Sequence, residues 1–392
     1  MGSILENNQD LRPIRHRLDI SDDEIVASLL KPQPITSEKN IWAFWDRGFE
    51  LMPSWIRRGV IGWVRRLGPE WTVRVLDRVP GSPLNVSEYI SDEWFPEAFN
   101  DYTLSGRTHA AHLADLARLP LIYLYGGIWI DAGTILLRHV DDICWNAIED
   151  PNSPYELCGF TIDIRPHVSC MQNAFIAARK GNGFIYRWHM VYLELWRGRT
   201  STQGISKHPL ISVLGPITGA AGLEDTDIKL PSEVSDYLGH FLAWERITLV
   251  IDPSDGWNGP EYREKHMYLL DAKRETFLYQ ELTAWDGYEQ LELFTCPTES
   301  TDQLAQKARD FFQTLLSATS TVKICHNAPT STIELGKLLE KLENLDIDNQ
   351  PGTFGEYFWK MSTRYDQTRV LKQEEVPVAP EDRILRTGVL QW

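Results

Sequence analysis

Asp115, Arg118 and Asp131 bracket the segment DLARLPLIYLYGGIWID. A carboxylate and a guanidinium three positions apart share one face of a helix, where they can pair with each other or meet a charged ligand. Asp131 closes the run Ile128-Trp129-Ile130, whose β-branched and aromatic residues predict a buried strand. Open α/β sheets bind ligands at the carboxyl ends of their strands, so a carboxylate at that point is a candidate ligand-binding group. The plainer roles are a turn cap for Asp131 and a structural ion pair for Asp115 with Arg118.

The elements that position these groups follow from the hydrophobic period. Leu113, Leu116, Ala117 and Leu121 form the apolar stripe of a half-buried helix. Pro120 lies inside that stripe. It lacks a backbone donor and clashes one turn back at a cost of about 3 kcal/mol, which predicts a kink or an early stop. Gly126 and Gly127 then permit positive φ and close backbone approach.

Upstream, residues 39–45 (KNIWAFW) predict a first strand and 53–67 a helix, apolar at Trp55, Ile56, Val60, Trp63, Val64 and Leu67. Residues 72–76 predict a second strand. Strand, helix, strand is the unit of a parallel sheet. Arg57, Arg58, Arg65 and Arg66 stud the helix, as a solvated face or as a diphosphate clamp. Ser21 with Glu24 predicts a capping box for a short helix over 22–30.

Downstream, 155–164 predicts a strand, 171–179 a helix, and 184–196 a longer helix. Residues 201–209 predict a polar loop and candidate lid, and 302–316 a helix. Residues 322–326 predict a last short strand, and 331–345 a charged amphipathic helix before a polar tail. The organisation expected is an N-terminal arm over 1–38, an α/β domain over 39–330 and a helical, polar C-terminal extension over 331–392.

Composition narrows the function. The chain has 392 residues, 43% of them hydrophobic, and a formal net charge of −16. That charge argues against nucleic acid and anionic membranes as partners. Fifteen Trp residues suit a core and an aromatic-lined cleft. Five scattered Cys without a C-x-x-C pair suit reduced thiols rather than a zinc cage. The N-terminus lacks a hydrophobic signal core. The most apolar window, 119–137, is broken by Pro120, Gly126, Gly127, Asp131 and Gly133, which favours a globular core over a membrane span. A soluble, cytoplasmic protein without a transmembrane segment is expected.

Four pieces, IWAFWDRG at 41–48, HLADLARLPLIYLYGGIWIDA at 112–132, MQNAFIAARKGN at 171–182 and LGPITG at 214–219, resemble the capsular polysaccharide synthesis proteins, which are similar to glycosyltransferase family 32. The resemblance spans about residues 39–330. It implies a GT-A-like (Rossmann-like) fold, a mixed, mainly parallel sheet flanked by helices, and a nucleotide-sugar donor. By position, Trp42 to Trp45, with Phe44 and Trp45 as the candidates for base stacking, would face the nucleobase. Asp115 and Arg118 would face the donor sugar and diphosphate. Asp131 would be the first carboxylate of a D-x-D motif, Asn173 a polar group near the reacting sugar, and His326 a late metal or diphosphate ligand. Breaking the bond to a nucleoside diphosphate leaves negative charge on it, which a metal or basic side chains stabilise. A hard ion such as Mn or Mg prefers oxygen ligands.

The motif departs from D-x-D at its third position, where Gly133 stands. The metal ligands would then be Asp131 and His326, with the diphosphate or basic groups making up the difference. His109 and His112, three apart on the predicted helix, find no third ligand in sequence and are polar surface or acceptor-side groups. His240 and His266 receive no role. The function expected is transfer of a sugar to a hydroxyl of a small or saccharide acceptor, with retention implied by the resemblance. An inverting enzyme would need a base such as Asp163 or Asp225. The alternative is a non-transferring protein on the same scaffold. Substrate specificity is expected from loops 201–210 and 252–260.

Overall fold

The computed structural model describes residues 10–14, 20–166, 168–218, 232–325, 333–375 and 379–392. A short strand β1 (Leu11–Pro13) and helix α1 (Asp22–Leu29) lead into β2 (Asn40–Phe44), α2 (Ser54–Leu67) and β3 (Thr72–Leu76). Helix α3 (His109–Tyr125) feeds β4 (Gly127–Ile130) and the short β5 (Thr134–Leu136). The hairpin β6 (Leu157–Arg165) and β7 (Val168–Ala178) follows, then α4 (Gly183–Leu195), α5 (Gly239–Leu249) and β8 (Met267–Asp271). The chain continues through α6 (Gln303–Ala318), β9 (Thr321–Lys323), α7 (Phe354–Met361) and β10 (Tyr365–Gln367).

Six strands form the central sheet in the order β8-β6-β7-β4-β2-β3. β8 runs parallel to β6, and β4, β2 and β3 are mutually parallel, while β7 is antiparallel to both its neighbours. A mixed α/β architecture with a mostly parallel sheet is therefore present. Both faces are covered, as parallel sheets require. Along β2, Ile41 and Ala43 enter one core with Trp55, Ile56 and Trp63 of α2. Trp42 and Phe44 enter the other with Leu116 and Leu119 of α3.

The double glycine is needed where it stands. Gly127 has φ +107°, and a Cβ there would lie 2.3 Å from the Asn40 carbonyl oxygen. At Gly126, φ +71°, a Cβ would meet the Glu38 carboxylate at 2.7 Å. These positions let β4 begin hard against β2. The α1 capping box also forms, with Ser21 Oγ accepting from the Glu24 backbone and Glu24 reaching back to Ser21.

Several expectations are corrected. Helix α3 does not stop at Pro120 but runs on to Tyr125. Leu116, Leu119, Leu121 and Ile122 around the proline are fully buried. Each contributes roughly 1.5–3 kcal/mol, which together outweighs the proline's cost of about 3 kcal/mol. Residues 171–178 of the expected helix are instead part of strand β7, which is paired on both sides. Its near-continuous burial is the pattern of a central strand, and position in the sheet overrides the helix-compatible Met, Gln and Ala. The expected helix over 331–345 is reduced, among the described residues, to Leu335–Leu339 and a single turn at Leu342–Asn344. The tail is not merely polar, because α7 places Phe354 and Phe358 in the core.

The α2 arginines are not one solvated face, and they do not form a diphosphate clamp. Arg58 pairs with Asp346 and Asp348, and Arg65 with Asp22. Buried Arg66 donates to Asp366 at 2.6 Å and to the carbonyls of Ser362 and Tyr365. β10, which carries Asp366, in turn pairs antiparallel with β1. Three arginines thus fasten both terminal segments to the sheet, and only Arg57 among the four is exposed. Removing one partner of a buried pair strands the other charge, at about 3–5 kcal/mol. Arg66→Ala should lose that much in urea unfolding, whereas Arg57→Ala should stay within about 0.5 kcal/mol. Equal effects would contradict this assignment.

Candidate active site

A cleft of about 700 Å³ opens across the carboxyl ends of β2, β4 and β6. Phe44 and Trp45 at the end of β2, Asp131 after β4, and Ile162 and Ile164 on β6 line it. β7 runs the other way, so its early residues Gln172 and Asn173 reach the same edge. The floor is set by α3, through Asp115 and Arg118.

Asp115 is the best-connected group in it. Its Oδ1 accepts from Arg118 Nη2 at 2.8 Å and from Asn173 Nδ2 at 2.9 Å. Its Oδ2 accepts from His112 Nδ1 at 3.0 Å and from the Tyr192 hydroxyl at 3.4 Å. The other ring nitrogen, His112 Nε2, lies 3.1 Å from Thr108 Oγ1. Burial alone would raise the Asp115 carboxyl, but Arg118, the His112 bond and nearby imidazoles hold it well below the usual carboxylate range.

Arg118 joins three elements. It pairs with Asp115 on its own helix, approaches Asp131 Oδ1 at 3.6 Å and donates to the Asn173 carbonyl on β7. Its guanidinium lies 5.0 Å from the Trp129 ring centroid, so the face is covered as well as the edge. Asp131 is held in place by Trp129 Nε1, which donates at 2.8 Å, and by Lys323 Nζ on β9. Burial works against its ionised form, but Lys323 and Arg118 prevail and keep it depressed. A quarter of its side chain remains exposed, facing the cleft it lines.

The predicted residues Phe44, Trp45, Asp115, Arg118, Asp131 and Asn173 are thus brought together in one cleft. Asn173 reaches it from the middle of a strand, not from a helix start, and is fixed by Asp115 and by His240 Nδ1 at 3.4 Å. His326 lies outside the described residues, as does Asp225. Asp163 is exposed, accepts from Ser169 and does not line the cleft. The expected lid is pinned instead: Asp236 accepts from the backbone N–H of Gly204 and Ser206. Neither 201–210 nor 252–260 lines the cleft, whose wall comes from Tyr237, Leu238, Phe241 and Phe277.

Several groups escaped the sequence reading. His112 is not polar surface. It is 2% exposed, and its spacing of three from Asp115 was the available signal. His240, given no role, is buried beside Asn173, and burial pushes its imidazole down to about 3. Lys323 is the largest omission. It lines the cleft with Ile324 and Cys325, next to buried Val322, but nothing local ties it to Asp131.

Gly133 offers no room for the missing carboxylate. A Cβ there would sit 2.9 Å from the Ile324 carbonyl oxygen and 3.4 Å from the Trp55 ring. Among the described residues, no three His, Cys, Asp or Glu side chains converge as a metal cage. The one cleft carboxylate in a D-x-D position already carries a lysine, and the described residues by themselves do not fit a divalent ion.

The family model for capsular polysaccharide synthesis proteins matches residues 9–204. O-glycosyltransferase braB of Annulohypoxylon truncatum is 45% identical over 95% of this chain and 90% of its own length. Glycosyltransferase afumC of Aspergillus fumigatus is 39% identical, covering 95% of this chain and 96% of its own. O-glycosyltransferase PaGT of Phomopsis amygdali is 36% identical, covering 95% and 93%. A sheet with a charged cleft at its carboxyl edge, in a chain with such relatives, is that of a glycosyltransferase enzyme. The chain belongs to the capsular polysaccharide synthesis protein family, and the non-transferring alternative falls away. Among the described residues no helix is long and apolar enough to cross a membrane.

Asp115 is a direct test of the cluster. Because its folded pKa is depressed, its ionised form contributes stability that is full above the unfolded value near about 4 and is lost progressively as pH falls from there through the folded value. Asp115→Asn should cost about 3 kcal/mol near neutrality. The gap to wild type should start to narrow as urea unfolding is repeated from about pH 5 down to about pH 3, because the loss begins near the unfolded value and runs on down through the folded one. A gap that persists unchanged would contradict the paired state.

Proposed function

We propose that this cleft binds a nucleotide-sugar donor within a GT-A-like fold and passes the sugar to a hydroxyl of a small, largely apolar acceptor. The observation that carries the reading is the alternation of Asp115, Arg118, Asp131 and Lys323 across one strand edge. Carboxylates in such a row suit sugar hydroxyls, and the cations suit the diphosphate. Trp45, half-buried at the end of β2, offers a face for the nucleobase. Ile162, Ile164, Leu238 and Phe241 make the opposite wall apolar, which favours an apolar alcohol over a long saccharide.

In the reaction, the bond from sugar C1 to the diphosphate oxygen breaks and its electron pair stays on the diphosphate. A new bond forms from C1 to the acceptor oxygen, and the acceptor proton leaves with the diphosphate. Retention is the stereochemistry favoured here. It follows from the family resemblance; Asp115 and Asp131 are both held by cations and Asp163 stands outside the cleft, while Asp46 and Glu340 are the other described carboxylates that line it.

Incubation with uridine, guanosine, adenosine and thymidine diphosphate sugars and a panel of polycyclic and long-chain alcohols should give one sugar adduct by mass spectrometry. Trp45→Ala should raise the donor KM by about 5- to 100-fold with little change in kcat, since one base–aromatic stack is worth about 1–3 kcal/mol. Folded protein that consumes and binds none of these donors would contradict the proposal.

A further inference from the structure

The position of a second metal-binding carboxylate is filled by the same strand that brings a cation. β9 pairs antiparallel with β5, so Thr321 faces Leu136, Val322 faces Ile135 and Lys323 faces Thr134. The next residue, Ile324, donates its N–H to the Gly133 carbonyl at 2.9 Å and sets its own carbonyl oxygen where a Cβ of residue 133 would grow. Lys323 then lies against Asp131. One pairing therefore removes the room for a carboxylate and supplies an ammonium in its stead.

We propose that Lys323, with Arg118, stabilises the leaving diphosphate in the role a divalent cation plays at two-carboxylate donor sites, so that donor binding and departure need no metal. This rests on the donor reading given above. An ammonium has three N–H donors. Among the described residues the Lys323 side chain bonds only to Asp131, and a fifth of it is exposed in the cleft. It can therefore donate to a phosphate oxygen while still bound to Asp131. Arg118 is already anchored by Asp115 and the Asn173 carbonyl, so it provides fixed charge rather than a mobile arm. As the C1–oxygen bond breaks, the negative charge gathering on the diphosphate meets charge that is already in position, which is the condition for strong electrostatic stabilisation. Asp131 is the partner that holds Lys323 in place when no donor is bound.

Metal-ligand and lysine-partner roles for Asp131 predict opposite results. Calorimetric titration with uridine, guanosine, adenosine and thymidine diphosphates, each with EDTA, Mg or Mn, separates them. The expected result is binding in EDTA that changes less than about threefold on adding cation. Lys323→Gln should weaken it at least about tenfold and Lys323→Arg should restore most of it. Asp131→Asn should bind the diphosphate in EDTA at least as tightly as wild type, because a competing negative charge is gone. Thermal unfolding reports whether each variant is folded, and the Arg and Asn variants decide the matter if Lys323→Gln is not. Binding that requires Mg or Mn, survives Lys323→Gln or is lost in Asp131→Asn would overturn the proposal while leaving the donor site standing. Absence of binding by any diphosphate under every condition would overturn both.

Discussion

A guanidinium with almost no access to water must be paired, because an isolated buried charge costs far more than a fold can offset. Arg118 is in that position, 3% exposed, and its partners dictate the surrounding architecture. Asp115 must come from one helical turn away, so α3 has to hold its geometry there. The Asn173 carbonyl must arrive from β7, so that strand has to run antiparallel beside β4. Trp129 must cover the guanidinium face, and the same ring donates to Asp131. The cluster therefore both closes the junction of helix and sheet and presents alternating charge to the cleft.

The same use of buried arginine recurs at the periphery. Arg66 gathers the Ser362–Asp366 turn, and Arg246 gathers the extreme C-terminal segment through the carbonyls of Val389 and Gly388. Burial depresses Arg246 to about 10, which still leaves it charged near neutrality. Arg369 does the same work for Glu275, to which it donates at 2.9 and 2.6 Å. The terminal segments are not loose additions, since they bring α7 into the core and brace the region that carries β9. A cleft residue such as Lys323 depends on that bracing, although it lies far along the chain from Asp131.

What could be read from the sequence was local. The capping box at Ser21, the strand-helix-strand start, the glycine pair and the carboxylate after β4 all rest on chemistry within a few residues, and all are present. The Asp115–Arg118 pair followed from helical spacing alone. Failures came where tertiary context decides. β7 carries helix-compatible residues but is trapped between two strands, and Pro120 sits in a helix whose burial on either side outweighs its defect. The α2 arginines look like a solvent-facing stripe until the distant acids Asp346, Asp348 and Asp366 are brought to them. Lys323 and His240 belong to the site only through pairing and packing across long separations, which no local spacing encodes.

The central claim is that the Asp115–Arg118–Asp131–Lys323 row is where the donor diphosphate sits. A crystal structure with a bound nucleoside diphosphate addresses it most directly. The account predicts phosphate oxygens within hydrogen-bond reach of Lys323 and Arg118 and the base against Trp45. A diphosphate seated away from that row, or centred on a metal ion held by Asp131 with Lys323 turned aside, would contradict it.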